Sequence, residues 1–286
     1  MDGDFRHINR FFNNITSRLV GTFCFLSLVI VWSVVATPVD AFAADEISPH
    51  RAAYRLELAS TRTGSPVVAV SGLMTFEWAD ACDGWATDQR YVMKLINADE
   101  LERILKTSFV AWESKDGRRY RFNVKRTRTG GATQNVRGEA LIDDSGAGVA
   151  KFELPAEKQF TLPTGVQFPT HHLLALMAAS AKDSRFEQRM LFDGGSVEGA
   201  QPVTAVLLPK RAAKPNDAIP SELARPFIWP MYLAYFVDGD KSGEPDFEMS
   251  MDLQSNGVVP RIVLDYGDFK VNGVLERLEP LNAPNC

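Results

Sequence analysis

His171 and His172 stand side by side, and adjacency is the wrong spacing for a metal pair on a helix. Helical ligands sit at i, i+4, as in H-E-x-x-H, so that both rings share a face. His50 is the one other histidine beyond residue 43. His172 at a helix start could bond a neighbouring strand, or act as a general base with a Ser or Asp partner. No orienting carboxylate or oxyanion motif accompanies it in sequence. G-x-S-x-G, S-x-x-K, Walker and zinc patterns are absent. Asp193-Gly194-Gly195-Ser196 and the paired carboxylates Asp143-Asp144 read as turns. No catalytic, cofactor or metal site is expected.

The other chemistry is electrostatic. Arg118, Arg119, Arg121, Lys125, Arg126 and Arg128 crowd one hairpin of a chain whose formal net charge is −5. By strand alternation Arg119, Arg121 and Lys125 share one face, opposite Tyr120, Phe122 and Val124. That face is either a solvated strand surface or a patch for anionic head groups of lipid, lipopolysaccharide or peptidoglycan. The mildly acidic total gives no reason to expect nucleic acid as a partner.

The elements that must position these residues follow from periodicity. Tyr54, Leu56 and Leu58 alternate with Arg55 and Glu57. Phe247, Met249, Met251 and Leu253 alternate with Glu248, Ser250, Asp252 and Gln254. A period of two puts one strand face on a core and the other in water. Turn residues punctuate the runs, among them Asp83-Gly84, Asp116-Gly117, Asn256-Gly257 and Asn272-Gly273. The fold class is all-β: roughly a dozen or more antiparallel strands in one barrel-like meander.

One segment breaks the pattern. Leu173, Leu174, Leu176, Met177 and Ala181 recur at helical spacing, with Pro169 suited to the start and Asp183-Ser184 to the exit. The spacing predicts one helix over about 169–182, closing the core or lining a ligand cavity. The run Pro226 to Phe236 is either an aromatic core strand or an apolar groove, and its prolines suggest an edge or a strand entry.

The ends bound the setting. Arg6, Arg10 and Arg18 precede an uncharged apolar run from Leu19 to Val35, and Ala41-Phe42-Ala43 follows. This is the pattern of a cleavable export signal, with the cut expected after Ala43 and the mature domain at 44–286. The run is shorter than the ~18–20 apolar residues of a spanning helix. No later stretch could cross a bilayer as a helix. Cys24 leaves with the signal; Phe23 before it argues against a lipid-modified cysteine. Cys82 and Cys286 remain, and an oxidising compartment favours a bonded pair over two free thiols. No CxxC or His-rich spacing supports metal.

Five stretches, in order, carry a resemblance. They are Pro49-His50-Arg51-Ala52-Ala53-Tyr54; the Cys82 turn after Phe76-Glu77-Trp78; Phe168-Pro169-Thr170-His171-His172; Leu191-Phe192-Asp193-Gly194-Gly195; and Ile262 to Phe269. Together they resemble the EipB family of alphaproteobacterial periplasmic proteins. The resemblance implies a spiral or broken barrel with one helix, a disulfide between Cys82 and Cys286, and an envelope-integrity role without established catalysis. The leading expectation is a non-enzymatic periplasmic protein that binds a protein partner or an envelope component. A carrier with an apolar cavity, lidded by the 171–181 helix, is a second reading. A hydrolase-type enzyme using His172 is a third.

Overall fold

The computed structural model describes residues 47–239 and 242–286. The expected signal over 1–43, with its cut after Ala43, lies outside the described residues. Alternating burial builds the strands. In β5 (Arg119–Arg128), Tyr120, Phe122 and Val124 are buried while Arg119, Arg121, Asn123 and Lys125 are exposed, as the period-two rule requires.

Before β5 come β1 (His50–Thr61), β2 (Val67–Asp80), β3 (Gly84–Asn97) and β4 (Glu102–Ser114). After it come β6 (Gln134–Ile142), β7 (Gly148–Leu154), β8 (Lys158–Leu162), α1 (Pro169–Ala181) and β9 (Phe186–Leu191). The chain ends with β10 (Gln201–Leu207), β11 (Arg211–Ala212), β12 (Phe227–Tyr235), β13 (Phe247–Leu253), β14 (Arg261–Asp265) and β15 (Phe269–Pro280). These fifteen strands form one antiparallel sheet ordered β8 to β1, then β15, β14, β13, β12, β10 and β9, with β11 joined to β12.

The sheet curls without closing. Its end strands, β8 and β9, are not paired with each other. Beyond β8 one extended residue lies along β9: Gln167 N donates to Met190 O at 2.8 Å, and Phe192 N donates to Gln167 O at 3.0 Å. Register shifts at Ala53/Tyr54 and Leu58/Ser60 in β1 and at Val67/Ala69 in β2 are bulges of the kind that bend a strand. The architecture is a broken barrel.

Among the described residues, four buried clusters fill much of the interior. One joins Tyr54, Leu56, Met74 and Met93 to Leu275 and Leu278. A second is an aromatic stack in which Tyr120 lies 5.0 Å from Phe168 and Phe122 lies 5.7 Å from Phe192. The third receives the helix, where Leu176 and Met177 pack on Leu191, Val203, Trp229 and Met231. The helix covers 169–181 and leaves through Asp183 at φ 58°, a left-handed C-terminal position that Asp tolerates. Leu173 and Leu174 also touch a smaller cluster of Ile47, Trp78 and Trp85.

Several local expectations are corrected. Asn272-Gly273 is not a turn but lies inside β15. A Cβ on Gly273 would stand 2.5 Å from Ile262 Cγ2, so glycine is there for close strand packing. The turn before β15 instead uses Gly267 at φ 81°. At Asp83-Gly84 the positive φ belongs to Cys82, at 64°, and Gly84 already starts β3. Asp252 and Gln254 do not face water: they are 8% and 2% exposed. Arg211 from β11 covers Asp252, with Nη2 2.8 Å from Oδ2. Nor does β12 form an edge, since β10 and β13 flank it. Pro230 fits because it lies just past the last β10 pair, Leu207–Met231, where its carbonyl still accepts from Leu208 N at 2.9 Å.

Cys82 and Cys286 are joined by a disulfide with Cα atoms 5.8 Å apart and a sequence separation of 204. His50 pairs with Trp78 on one side and Pro280 on the other. The tail after β15 therefore crosses the start of β1 to reach the β2–β3 turn.

Candidate functional site

A cavity of about 370 Å³ opens inside the curl, at the low end of the ~300–1,000 Å³ typical of small-molecule sites. Strand parity builds its wall. Phe76 and Trp78 come from β2, Thr87, Gln89 and Tyr91 from β3, and Thr107 and Phe109 from β4. Opposite them stand Leu233 and Tyr235 of β12 and Met249 and Met251 of β13. Each set is spaced by two, so one inward face serves each strand. The helix start supplies Pro169, Thr170, His172 and Leu173, and the loop after β9 supplies Asp193 and Gly195.

The helix start is held from the sheet. Phe168 at the N-cap offers no side-chain acceptor. Glu113, the inward residue near the end of β4, accepts from Thr170 N at 2.7 Å and His171 N at 2.9 Å. A carboxylate there satisfies orphan N–H groups and complements the helix dipole. His171 Nδ1 reaches the same carboxylate at 2.6 Å. His171 is thus a positioning contact that does not line the cavity.

His172 does line it. Burial, aided by the positive charge of Arg189, lowers its pKa to about 4, so the ring is neutral near pH 7. Its Nε2 is buried without a hydrogen-bond partner, and so is the Nε1–H of Trp78 on the same cavity wall. Two such groups in one cavity are costly unless something bonds them.

Asp193 and Arg126 form a polar corner. The Asp193 carbonyl accepts from Tyr120 Oη at 2.9 Å, and its Oδ1 accepts from Gly195 N at 2.8 Å. The Arg126 guanidinium donates to the Gly195 carbonyl. Both carboxyl oxygens of Asp193 and Nη2 of Arg126 lie 3.1–3.4 Å from the point where Gly195 would carry a Cβ. Burial pushes the Asp193 carboxyl above its usual range, against the Gly195 hydrogen bond and the Arg126 charge.

Arg119, Arg121 and Lys125 project outward, away from this cavity. The two guanidinium carbons lie 5.3 and 5.4 Å from the ring centre of Trp112, within cation–π range. The same alternation turns Arg126 inward with Tyr120, Phe122 and Val124. Parity therefore marks Arg126 as the inward member of the basic run, and Glu113 falls on the inward face of β4 in the same way. Asp193 carried no such sign, because a loop has no period. Among the described residues no group of three or more His, Cys, Asp or Glu could hold a metal ion. No described helix is long and apolar enough to cross a membrane.

Comparison with known proteins gives a consistent picture. A family model described as EipB-like matches residues 41–282. A Brucella abortus (strain 2308) protein named cell envelope integrity protein EipB is 30% identical over 255 residues, covering 88% of this chain and 90% of that protein. A crystal structure of a beta-barrel-like protein of a domain of unknown function from Brucella abortus superposes with a TM-score of 0.77 at 29% identity. It covers 83% of this chain and 99% of that one.

Proposed function

This chain belongs to the EipB-like family, and from that premise we propose that it supports cell-envelope integrity outside the cytoplasm by binding an envelope component in the cavity of its broken barrel. The cavity is the observation that carries the reading. Its wall is mainly aromatic, Leu and Met side chains, with a few polar groups converging on it, the usual make-up of a small-molecule site. The Cys82–Cys286 bond supports an oxidising compartment, and the family match begins at residue 41, close to the expected cut after Ala43.

Binding fits the geometry better than catalysis by His172. A general base needs an orienting partner, and the histidine with a carboxylate beside it is His171, whose Glu113 already holds the helix. Protein recovered from the periplasm should carry a co-purifying lipid or amphiphile, seen by native mass spectrometry and organic extraction. A bare mass, together with failure of any apolar probe to enter the cavity, removes the proposal.

The outer face supports a second reading, contact with anionic envelope surfaces. Arg119, Arg121 and Lys125 point outward with no ion pair among the described residues. Reversal of all three to Glu should weaken binding to vesicles containing anionic lipid and to sacculi. Unchanged binding ends this reading and leaves the cavity proposal intact.

A further inference from the structure

We propose that the cavity takes an amphiphile with one apolar chain and an acidic head, a carboxylate or a phosphate monoester, with the head on Arg126 and the chain along Leu233, Met249 and Met251. The inference rests on the reading that the cavity is a binding site, and adds the chemistry of its occupant.

Hydrogen-bonding supply argues for the head. Arg126 spends one guanidinium nitrogen on the Gly195 carbonyl and has further donors in its fork. Thr87, Thr107 and Thr170 add hydroxyls to the wall. An acidic head is a pure acceptor, and a planar guanidinium matches carboxylate and phosphate oxygens two at a time. Asp193 stands beside Arg126 and would repel an anion if ionised. Burial disfavours that ionised form, which weakens the repulsion. His172, 4% exposed with Nε2 unpartnered, can donate or accept according to tautomer.

Packing argues for the chain. Leu233 pairs across the β12–β13 ladder with Met249, and Met251 lines the cavity two residues further along β13, so the apolar lining of these strands is continuous. Methionines adapt their shape to an apolar guest without fixing one geometry. A cavity of about 370 Å³ has little room for a second chain.

The test uses the purified, delipidated protein with its disulfide intact. Tetradecanoic acid, its methyl ester and tetradecyl phosphate compete for a polarity-sensitive dye bound to the protein. The acid, the phosphate or both should bind about tenfold or more tightly than the ester, the factor expected from one charge-assisted contact. Whichever acidic probe binds identifies the source of the head. Arg126→Gln should erase the preference, and Arg126→Lys should keep part of it. Equal binding of acid, phosphate and ester to the wild type overturns the acidic head and leaves the cavity reading standing. Failure of all three overturns both. The wild-type comparison decides the matter even where a variant at Arg126 loosens the 193–195 loop.

Discussion

Glu113 holds the Nδ1 of His171 at 2.6 Å from a position only 2% exposed. The carboxylate also takes the N–H groups of Thr170 and His171, so a strand residue caps a helix that lacks its own cap. Glu113→Ala leaves these donors buried without an acceptor and should cost about 2–4 kcal/mol, the scale of stranded groups bonded to a charge. Glu113→Gln keeps one acceptor oxygen and should cost less. Urea unfolding of both variants measures the difference, and wild-type stability in Glu113→Ala would show that the contact does not anchor the helix.

His172 makes folding sensitive to acid. Its folded pKa is about 4, below the ordinary 6.5, because burial and Arg189 oppose the charged ring. Between these values the unfolded chain holds more protons than the folded one, so stability rises with pH across that window. Above about 6.5 the contribution is fully present; below about 4 it is fully lost. The size is on the order of 3 kcal/mol. His50, lowered by its own burial, tilts stability the same way, and Asp193, raised by burial, tilts it the other way. The difference between wild type and His172→Gln isolates one ring. Parallel stability curves from pH 4 to 7 would contradict this assignment.

Much of this arrangement was legible from alternation alone. Tyr120, Phe122 and Val124 inward with Arg119, Arg121 and Lys125 outward is what one strand facing one core must do. The helix was equally plain, since 169–182 replaces the period of two with helical spacing. The cavity corner was not, because Asp193 is held by Tyr120, and its neighbour Gly194 packs on Phe122, some seventy positions earlier. Asp252 misled for a related reason. Its outward face is covered by Arg211, and coverage by a distant segment leaves no trace in local period.

The disulfide ties the last residue to the β2–β3 turn across 204 positions. Closing so long a loop removes entropy from the unfolded chain, at most about 5 kcal/mol and commonly about 2–5 kcal/mol. Cys82→Ser, or reduction of the wild type, should lower the melting temperature by roughly 4–20 °C. Cys82→Ser/Cys286→Ser should match the single variant, because the bond is lost once in either case. A melting temperature unchanged by reductant would show that the bond does not stabilise the domain.

Gly194 links the aromatic core to the polar corner. Its φ is 66°, and a Cβ there would stand 2.5 Å from Phe122 Cγ. Gly194→Ala therefore meets two penalties at once, the left-handed backbone and a ring locked between Tyr120, Phe152 and Phe192. Each is worth about 1–3 kcal/mol, so a loss of about 2–6 kcal/mol is expected. The ring cannot yield easily, so the loop should shift, carrying the Gly195 carbonyl away from Arg126 and weakening probe binding as well as folding. Phe122→Leu removes the obstructing ring edge, so Gly194→Ala should cost less in that background than in the wild type. A double-mutant cycle in unfolding free energy measures this coupling, and strictly additive costs would show that the clash with Phe122 is not what requires glycine at this position.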